Sequence, residues 1–575
     1  MKPVIARRWN IRNPDRADID RLTSTGIPPL LGRILLNRGI SDPDRANLFL
    51  SAALGELHDP FLLHGMEAAV ERLTTAIARG ERVCVYGDYD VDGITSVALL
   101  IGFFRAVGLD CFYYIPHRLE EGYGLAADGI EAVAARGARI IVTVDCGITA
   151  VSEAALCKDL GLDLIITDHH TPPAKLPEAL ALVNPLHPDC RFPFKQLAGV
   201  GVAFNLLIAL RSRLRELGFF GSVTEPNLRE FLDLVALGTI ADIVPLIDEN
   251  RIFARHGLIQ LSRTTRPGVE ALKRVAGISG AVSCGGVGFR LAPRLNAAGR
   301  LEDAALGVEL LLSRDAARSA QIALDLDRSN AERQAIEQEI LRQALAMVQD
   351  GAASGRKSIV LSSEAWHPGV IGIVASRIVD IFYRPTVLIA LQEGSGRGSG
   401  RSIPNFHLHD ALNACSEHLV KFGGHKYAAG LTIDEATLEA FVEMFDQVAA
   451  GSLSEEDLTP EINIDAELDP TDITLDLADQ MEHLAPFGAG NPEPVFALRR
   501  VKIAERRILK ESHLKLRVAA GGRTFEAIGF NMAGEWGTQG CADIAFTLQK
   551  NVWNGRQGLQ LRLKDIRPAE EGDAL

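Results

Sequence analysis

The sequence predicts an α/β protein with a doubly wound, mostly parallel sheet, a long connector helix, a second and smaller α/β domain, and a C-terminal β-barrel. Three observations support this prediction. Short β-branched runs alternate with helical stretches between about residues 82 and 184, as in a parallel sheet. A helical stretch almost free of Pro and Gly follows at residues 301–350. From about residue 460, turn-rich segments and short strands replace helical periodicity.

The elements of the predicted sheet follow one another in a regular order. Apolar spacing predicts helices, and short apolar runs bounded by glycine or polar residues predict strands. The elements are a helix at 65–80, a strand at 82–86, a helix at 95–107, strands at 111–114 and 138–144, a helix at 149–160, and strands at 163–166 and 182–184.

Length and composition limit the possible classes of protein. A chain of 575 residues is too long for one core, so about two to four domains are expected. An apolar content of 47% with 23% charged residues is typical of a globular protein. The net charge of −14 is unusual for a protein that binds nucleic acid, but an acidic site contributes to it, so local basic clusters are the better test. We predict a basic lead-in at 1–50, a first domain at 51–300, a connector at 301–353, and further domains at 354–452 and 460–575.

The N-terminus and the cysteines exclude several classes. The first residues scatter their charges and have no apolar core, so they do not form a signal peptide. The apolar run Val97–Phe104 is too short to span a bilayer. The eight cysteines form no CxxC or CxxH pair, which argues against structural zinc and a disulfide framework. We therefore expect a cytoplasmic protein with reduced thiols.

An acidic loop, GDYDVDG, follows the strand predicted at 82–86. Gly87 ends that strand where a parallel sheet turns into a helix, so the loop is expected at the sheet edge where open α/β sheets bind ligands. Asp88, Asp90 and Asp92 alternate, and an extended backbone would point their carboxylates the same way. Hard oxygen ligands favour Mg²⁺ or Mn²⁺. A solvated turn is the alternative, whereas a calcium loop needs a Glu at its twelfth position and flanking helices.

Later strands of the same sheet also end in side chains that can bind a metal. The strand predicted at 138–144 ends in Asp145, and the next strand is followed by Asp168, His169 and His170. Because the carboxyl ends of parallel strands meet at one rim, we expect these side chains to converge with the acidic loop.

One acid, Asp242, lies in the apolar C-terminal part of a helical run at 227–246. A carboxylate in such surroundings is costly unless it is paired or bound to a metal. A capping role is the alternative, but a metal role fits the three earlier acidic segments.

A glycine-rich segment of the second domain, GSGRGSGRS at 394–402, is expected to form a loop that binds phosphate. Its glycines would expose backbone amides around Arg397, Ser399 and Arg401. A flexible linker is the alternative, but two closely spaced arginines favour anion binding. A further loop presents His425 after two glycines, and a structural role fits this histidine as well as a functional one.

Basic side chains cluster in two other places. The segment VGFRLAPRLNAAGR brings Arg290, Arg294 and Arg300 close together. In the third domain, eight basic residues lie between positions 499 and 517. A basic strand face with aromatic neighbours is how an oligonucleotide-binding (OB) barrel tracks single strands, and core aromatics beside a solvated edge are the alternative. The candidate aromatic residues are Phe525, Phe530, Trp536 and Trp553.

The motifs resemble those of a known family. GDYDVDG, VDCG, TDHH and ADIVP, in that order and followed by GGH, are similar to the motifs of the DHH phosphoesterase superfamily. RLNAAGR, WHPGVIGIVASR and PFGAGNPEP resemble segments of its bacterial single-strand-specific exonucleases, and the match runs from about residue 50 to 570. The resemblance implies a single-stranded-DNA-specific 5′-to-3′ exonuclease that hydrolyses phosphodiester bonds in DNA recombination and repair, with two divalent metal ions, Mn²⁺ or Mg²⁺.

The resemblance also implies the ligands of the two ions. These would be Asp90, Asp92, Asp145, His169 and Asp242. In this scheme Asp90 and Asp92 bind one metal each, and Asp145 bridges the pair. Several members have a histidine ligand where this chain has Tyr86, so the first metal is expected to be held more weakly or to rely on Asp88.

The remaining implied roles concern catalysis and substrate binding. Asp168 would orient His169, His170 would face the phosphate, and His425 would contact the scissile phosphate. The residues that would hold the DNA are Arg118, Ser399 and Arg401 at the 5′-terminal phosphate, with Arg290 and Arg397 as further contacts.

The resemblance implies single-stranded DNA as the main partner, with a single-strand-binding protein and a RecQ-type helicase as protein partners and no membrane. Two rival functions stay open. A pyrophosphatase or nanoRNase relative would act on small substrates, but the basic third domain argues against it. A catalytically silent replication scaffold would bind single strands only, but such a protein is expected to lose metal ligands.

Overall fold

A computed structural model describes residues 6–116, 124–301, 303–534, 540–553 and 556–569. Arg118 and Trp536 lie outside the described residues, as do the side chains of Arg300 and Trp553. The strands are β1 (Arg8–Ile11), β2 (Val83–Gly87), β3 (Cys111–Tyr114), β4 (Ile140–Val144), β5 (Asp163–Thr167), β6 (Ala181–Val183), β7 (Ile359–Ser363), β8 (Thr386–Gln392), β9 (Ser395–Arg401), β10 (Lys421–Gly424), β11 (Ala428–Asp434), β12 (Glu461–Ile464), β13 (Ala466–Glu467), β14 (Phe496–Leu509), β15 (His513–Ala520), β16 (Arg523–Gly529), β17 (Cys541–Trp553) and β18 (Arg556–Pro568).

The helices alternate with strands from residue 66 to residue 167, where most of the first sheet is built. They are α1 (Arg16–Thr23), α2 (Pro29–Asn37), α3 (Pro43–Ser51), α4 (Met66–Arg79), α5 (Val91–Ala106), α6 (Ala127–Ala135), α7 (Val151–Asp159), α8 (Gly199–Glu216), α9 (Leu232–Ala241), α10 (Asp248–Arg263), α11 (Pro267–Val275), α12 (Cys284–Gly286), α13 (Ala292–Leu301), α14 (Ala305–Leu312), α15 (Ala316–Gln349), α16 (Ile371–Phe382), α17 (Leu408–Ala414), α18 (Leu438–Ser452) and α19 (Leu475–Glu482). A π-helical turn, Val287–Leu291, joins α12 to α13.

The first sheet is parallel throughout, with strand order β3-β2-β4-β5-β6. Successive side chains of a strand point to opposite faces. Val83 and Val85 accordingly pack with α4, α5, α8 and α9, whereas Cys84 and Tyr86 pack with α6 and α7. The predicted doubly wound sheet is therefore confirmed. The strand order reverses between β2 and β4, and ligands bind at such switch points.

The second sheet has the order β10-β11-β9-β8-β7. The prediction that residues 394–402 form a phosphate-cradling loop is wrong, because most of them form β9. A Cβ added at Gly398 would lie 2.6 Å from Leu431, and one at Gly396 would lie 2.7 Å from Ile389. These glycines therefore let neighbouring apolar side chains pack closely against the strand. The expected second loop forms β10, β11 and the turn that joins them.

The C-terminal strands close a barrel in the order β14-β15-β16-β18-β17, because β17 also pairs with β14. The predicted OB-type barrel is confirmed. Its aromatic residues differ in their environments. Phe525 is buried in the barrel, so the prediction that this residue stacks on a base is wrong. Phe530 is 47% exposed, and the Arg562 guanidinium lies over its ring.

The chain folds into two compact units that are each built from separated segments. One unit contains residues 40–330 and 482–493, and the other contains 1–39, 331–481 and 494–575. In the latter unit, β1 pairs in parallel with β12. The predicted domain boundaries stay predictions. The helical stretch predicted at 301–350 is not one helix, since α14 ends at Leu312 and the long helix α15 begins at Ala316.

Within the part of the chain that the structure describes, no helix is both long enough and apolar enough to cross a membrane.

Candidate metal centre

The acidic loop changes from strand to helix within three residues. β2 ends at Gly87 and α5 begins at Val91, so Asp92 lies in the first helical turn. The expectation that an extended backbone aligns the three carboxylates is therefore wrong. Asp90 is the N-cap residue, and its Oδ1 accepts hydrogen bonds from the backbone N–H groups of Asp92 (2.8 Å) and Gly93 (3.1 Å). This capping interaction holds the turn that carries both carboxylates.

The N-terminus of α8 holds the buried carboxylate of Asp92. The backbone N–H groups of Gly199 and Val200 donate to its two oxygens at 2.6 Å and 2.8 Å. A Cβ added at Gly199 would lie 2.8 Å from Oδ1 of Asp145, so glycine allows this close approach. Sequence reasoning missed α8, although the GVG run that opens an apolar helix was a usable signal.

Asp145 follows β4 in a left-handed backbone conformation with φ of +61°. Its N–H donates to the carbonyl of Thr167 on the neighbouring strand end (3.1 Å), and its side chain is buried. Left-handed conformations of residues other than glycine cost free energy, and they concentrate at functional sites.

His169 directs one ring nitrogen into the cluster of carboxylates. Its Nε2 lies 3.0 Å from Asp145 Oδ1, 3.6 Å from Asp242 Oδ2 and 3.9 Å from Asp92 Oδ2. The backbone carbonyl of Leu197 accepts a hydrogen bond from the ring. Because the buried Nε2 has no hydrogen-bond partner in the part of the chain that the structure describes, the donor is Nδ1. A carbonyl on the second nitrogen is the usual way to orient a metal-binding imidazole.

Asp168 contacts His170, not the ring of His169 as the sequence led us to expect. Its Oδ1 lies 2.8 Å from His170 Nδ1, and it accepts hydrogen bonds from the backbone N–H groups of both histidines. Its Oδ2 accepts from the N–H of Ile148 (2.9 Å). Burial acts to lower the pKa of His170, but the bond to Asp168 outweighs it, so the pKa lies above its ordinary value.

The acidic residues and histidines at this rim form two groups of possible ligands with no member in common, and a third group that links them. Within each group the ligand atoms lie within 4.8 Å of one another. One group is Asp88, Asp90 and Asp145; the other is Asp92, His169 and Asp242. Asp145 also groups with His169 and His170, so it connects the two. Asp242 is the C-cap residue of α9, and it lies in one of these groups as well.

The electrostatics of these groups fit bound cations. Burial, and then the charge of Asp90, raise the pKa of Asp92 to about 7. Burial, and then Asp92, raise the pKa values of Asp145 and Asp242 well above their ordinary values. Burial, and then His170, lower the pKa of His169 to about 4, so its ring is neutral and can donate a lone pair. Asp242 Oδ2 is buried, and it has no hydrogen-bond partner among the described residues. Crowded carboxylates with a neutral imidazole suit divalent ions.

Tyr86 lies in the apolar cluster under α6, not among the acidic side chains. Its ring stacks on Tyr114 with a centroid distance of 5.0 Å, and a Cβ added at Gly129 would lie 2.7 Å from its hydroxyl. Asn296 of α13 is a second residue that sequence reasoning missed. Its Oδ1 accepts a hydrogen bond from the N–H of Val91 (3.1 Å), so it supports the acidic loop.

The second sheet carries a separate anion-binding candidate. Ser399 and Arg401 lie on the same face of β9, and Arg401 Nη1 donates to Ser399 Oγ (3.3 Å). Gly372, the second residue of α16, lies close to both side chains. A Cβ there would lie 2.8 Å from Ser399 Oγ and 3.2 Å from Arg401 Nη2. Among the described residues no carboxylate forms an ion pair with Arg401, and burial lowers the pKa of its guanidinium. An anion near this cation would offset the cost of burial.

The other predicted substrate contacts are arranged differently. Arg397 is exposed on β9, and His425 is exposed in the turn between β10 and β11. The Arg290 guanidinium donates to the carbonyls of Ala276 and Gly277 just after α11, and Arg294 pairs with Asp327 (2.8 Å). These contacts hold both side chains in place, and contact of Arg290 with DNA stays a prediction.

Three family models match the chain. They are the DHH family N-terminal domain at residues 82–239, the DHHA1 domain at 355–451 and the RecJ OB domain at 464–565. The first of these contains most of the metal centre. A doubly wound sheet with these acidic strand ends defines the chain as a DHH-class phosphoesterase.

Relatives and solved structures identify the family within this class. Proteins named single-stranded-DNA-specific exonuclease RecJ are 39% identical in Salmonella typhimurium, over 94% of this chain and 96% of that protein, and 39% identical in Haemophilus influenzae, over 99% and 100%. The crystal structure of RecJ from Thermus thermophilus in complex with Mn²⁺ matches with a TM-score of 0.84 and 33% identity, over 98% of this chain and 80% of that one. A Mg²⁺ complex from the same organism matches with a TM-score of 0.78 and 31% identity, over 98% and 79%. The chain belongs to the RecJ family of exonucleases.

Proposed function

We propose that this chain is a metal-dependent, single-stranded-DNA-specific exonuclease that degrades DNA from the 5′ end, in recombination and repair. One observation carries the proposal. Two groups of possible ligands lie at the switch point of the sheet, and Asp145 connects them. The names of the relatives supply the substrate class.

The cofactors of this activity are two divalent ions, Mn²⁺ or Mg²⁺. Asp88, Asp90 and Asp145 would hold one ion, and the second group described above would hold the other. Bound there, the ions would lower the pKa of a water molecule and stabilise charge on the phosphoryl oxygens.

The protein itself supplies oriented charges. Asp168 holds His170 Nδ1 and raises the pKa of the ring, which favours the protonated form that can donate toward a phosphate oxygen. The hydrogen bond to the Leu197 carbonyl keeps the neutral His169 ring turned toward the carboxylates. His425 remains a candidate for contact with the scissile phosphate.

The anion-binding candidate on the second sheet supports digestion in the 5′-to-3′ direction. Arg401 and Ser399 together offer a half-buried cation and a hydroxyl beside the first turn of α16. That combination suits a terminal phosphate dianion. Arg118 and Arg397 stay candidates for further contacts. Substrates blocked at the 5′ end are therefore expected to resist digestion, whereas substrates blocked at the 3′ end are not.

The OB barrel supports binding of a long single strand. Arg506 and Arg507 of β14 are exposed, and Arg507 has one long ion pair with Glu505 (3.7 Å). Lys515 and Arg517 form closer ion pairs with Glu526. A single-strand-binding protein and a RecQ-type helicase are proposed protein partners, and a cytoplasmic location is proposed because the substrate is DNA.

The test is digestion of end-labelled single-stranded DNA by the wild-type chain and Asp145→Asn. The variant should lose at least about a thousandfold in rate, because removing its charge affects both ion sites. Its thermal melting should change little. Normal cleavage by the variant would exclude the two-ion mechanism, and faster cleavage of a dinucleotide than of a long strand would favour a small-substrate relative.

A further inference from the structure

The segment 482–493, called here the 482–493 loop, folds with the metal centre. It contains PFGAGNPE and groups with residues 40–330, although the chain on both sides of it belongs to the other unit. Neither the metal groups nor the anion site involves this loop. Its contacts show what it supports.

The loop packs against the chain just after Asp242. The N–H of Leu246 donates to the carbonyl of Ala489 (2.7 Å). A Cβ added at Gly490 would lie 2.8 Å from Pro245 Cβ, and one at Gly488 would lie 2.7 Å from Leu246 Cδ1. Gly490 therefore permits an approach to Pro245 that a side chain would block, whereas a methyl group at Gly488 would displace the end of the Leu246 side chain.

The loop is itself rigidly held. Asn491 Nδ2 donates to the carbonyls of Leu484 (2.8 Å) and Pro486 (2.9 Å) from a buried position. The buried Arg251 of α10 donates to the carbonyls of Leu484 (2.8 Å) and His483 (3.1 Å), and its Nε donates to the carbonyl of Phe49 (2.7 Å). A contact with such a fixed loop restrains the chain that it touches.

The position of the Asp242 carboxylate depends on this restraint, because only three residues separate Asp242 from Leu246. Ile243, directly after it, is left-handed with φ of +61°, and Pro245 and Leu246 follow within three residues. Because no described residue donates a hydrogen bond to Asp242 Oδ2, the backbone largely sets its position 3.6 Å from His169 Nε2. A shift of Pro245 would be transmitted to this carboxylate.

We propose that the 482–493 loop positions Asp242 and thereby sets the affinity of the ion held with Asp92 and His169. Gly488, Gly490 and Asn491 are positioning residues for that ligand. The inference rests on the proposed function, since it assumes that the acidic groups bind divalent ions.

The experiment measures Mn²⁺ binding by calorimetry and the Mn²⁺ dependence of DNA cleavage in the full chain. Gly490→Ala adds a Cβ that meets Pro245. Gly218→Ala is the matched control, because Gly218 has φ of +71° against +69° for Gly490 and a Cβ there meets no atom within 4 Å. Gly488→Ala adds the steric contact at a position where the backbone is not left-handed.

We expect the wild type and Gly218→Ala to bind two Mn²⁺ ions with the same affinities. Gly490→Ala should bind one ion normally and the other at least about tenfold more weakly, and high Mn²⁺ should restore its cleavage rate. Gly488→Ala should also weaken binding of that ion. This variant tests the inference if Gly490→Ala does not fold. Unchanged affinity for both ions in the folded variants would overturn this inference and leave the proposed function standing. A wild type that binds no Mn²⁺ would overturn the proposed function, and this inference with it.

Discussion

Burial shifts the pKa values of individual side chains in this protein. Glu249, the second residue of α10, is buried away from the metal groups, and burial raises its pKa to about 7. It accepts hydrogen bonds from the N–H of His58 (2.7 Å) and from Asn205 Nδ2 (3.0 Å). These bonds favour the charged form but do not offset burial. The residue therefore binds a proton in the folded state at pH values where the unfolded chain has released it.

This difference in proton binding predicts a pH dependence of stability. Because the pKa of Glu249 is higher in the folded state, its contribution to the free energy of unfolding falls as pH rises from about 4.5 to about 7 and then stays constant. Glu249→Gln should remove a fall on the order of 1 to 3 kcal/mol from this interval. Urea unfolding between pH 5 and 8 measures it. Glu131→Gln, at an exposed position of α6, should keep the wild-type slope.

At the scale of elements, the metal centre is assembled from the ends of several strands and helices. β2, β4 and β5 bring their carboxyl ends to one rim, the N-terminus of α8 holds Asp92, and the end of α9 carries Asp242. The strand ends follow from the alternating pattern of the sequence. The two helix ends come from elsewhere in the chain. The isolated acid Asp242 indicated the end of α9 from the sequence, whereas the approach of α8 to the rim was missed.

Gly199, the first residue of α8, allows a prediction about the cleavage rate. Gly199→Ala places a methyl group 2.8 Å from Cβ and Oδ1 of Asp145, and it should lower the cleavage rate at least about a hundredfold by displacing that carboxylate. Gly201→Ala is the control in the same helix, because its Cβ meets only Leu197 Cδ2 as closely as 3.3 Å. Rates at saturating Mn²⁺ and melting temperatures are the measurements. Equal rates for the two variants would mean that the approach of α8 to Asp145 is unimportant for cleavage.

On the scale of the whole molecule, each compact unit gathers segments that are distant in sequence. β1 pairs with β12 across about 450 residues, and the 482–493 loop folds with residues 40–330. The predicted boundary near residue 50 treats the N-terminus as a separate lead-in, whereas β1 contributes to a sheet with a strand near residue 461. Such long-range pairing leaves no periodic signal in either segment.

The basic residues of the barrel lead to a prediction about the affinity of the whole protein for single-stranded DNA. Arg506→Glu with Arg507→Glu should weaken binding of a long single strand about tenfold or more and reduce the salt dependence of binding by about 1 to 1.5 in log–log slope. Cleavage at saturating DNA should persist. Arg318→Glu with Arg342→Glu, two exposed arginines of α15, is the control. Fluorescence anisotropy across a salt series measures both quantities, and equal effects of the two pairs would mean that the barrel is not the binding surface.

The sequence by itself determined the order of the domains, the doubly wound sheet, the OB barrel and the family, because hydrophobic periodicity and contiguous motifs are local properties of a chain. It also identified the acidic and histidine side chains that the structure brings together at one rim. Only the tertiary structure decided that Asp168 holds His170, that Leu197 orients His169, that the glycines of β9 serve packing, and that the 482–493 loop lies against the segment after Asp242. Each of these is a contact between residues whose approach depends on how separate elements pack, and a linear pattern does not encode that approach.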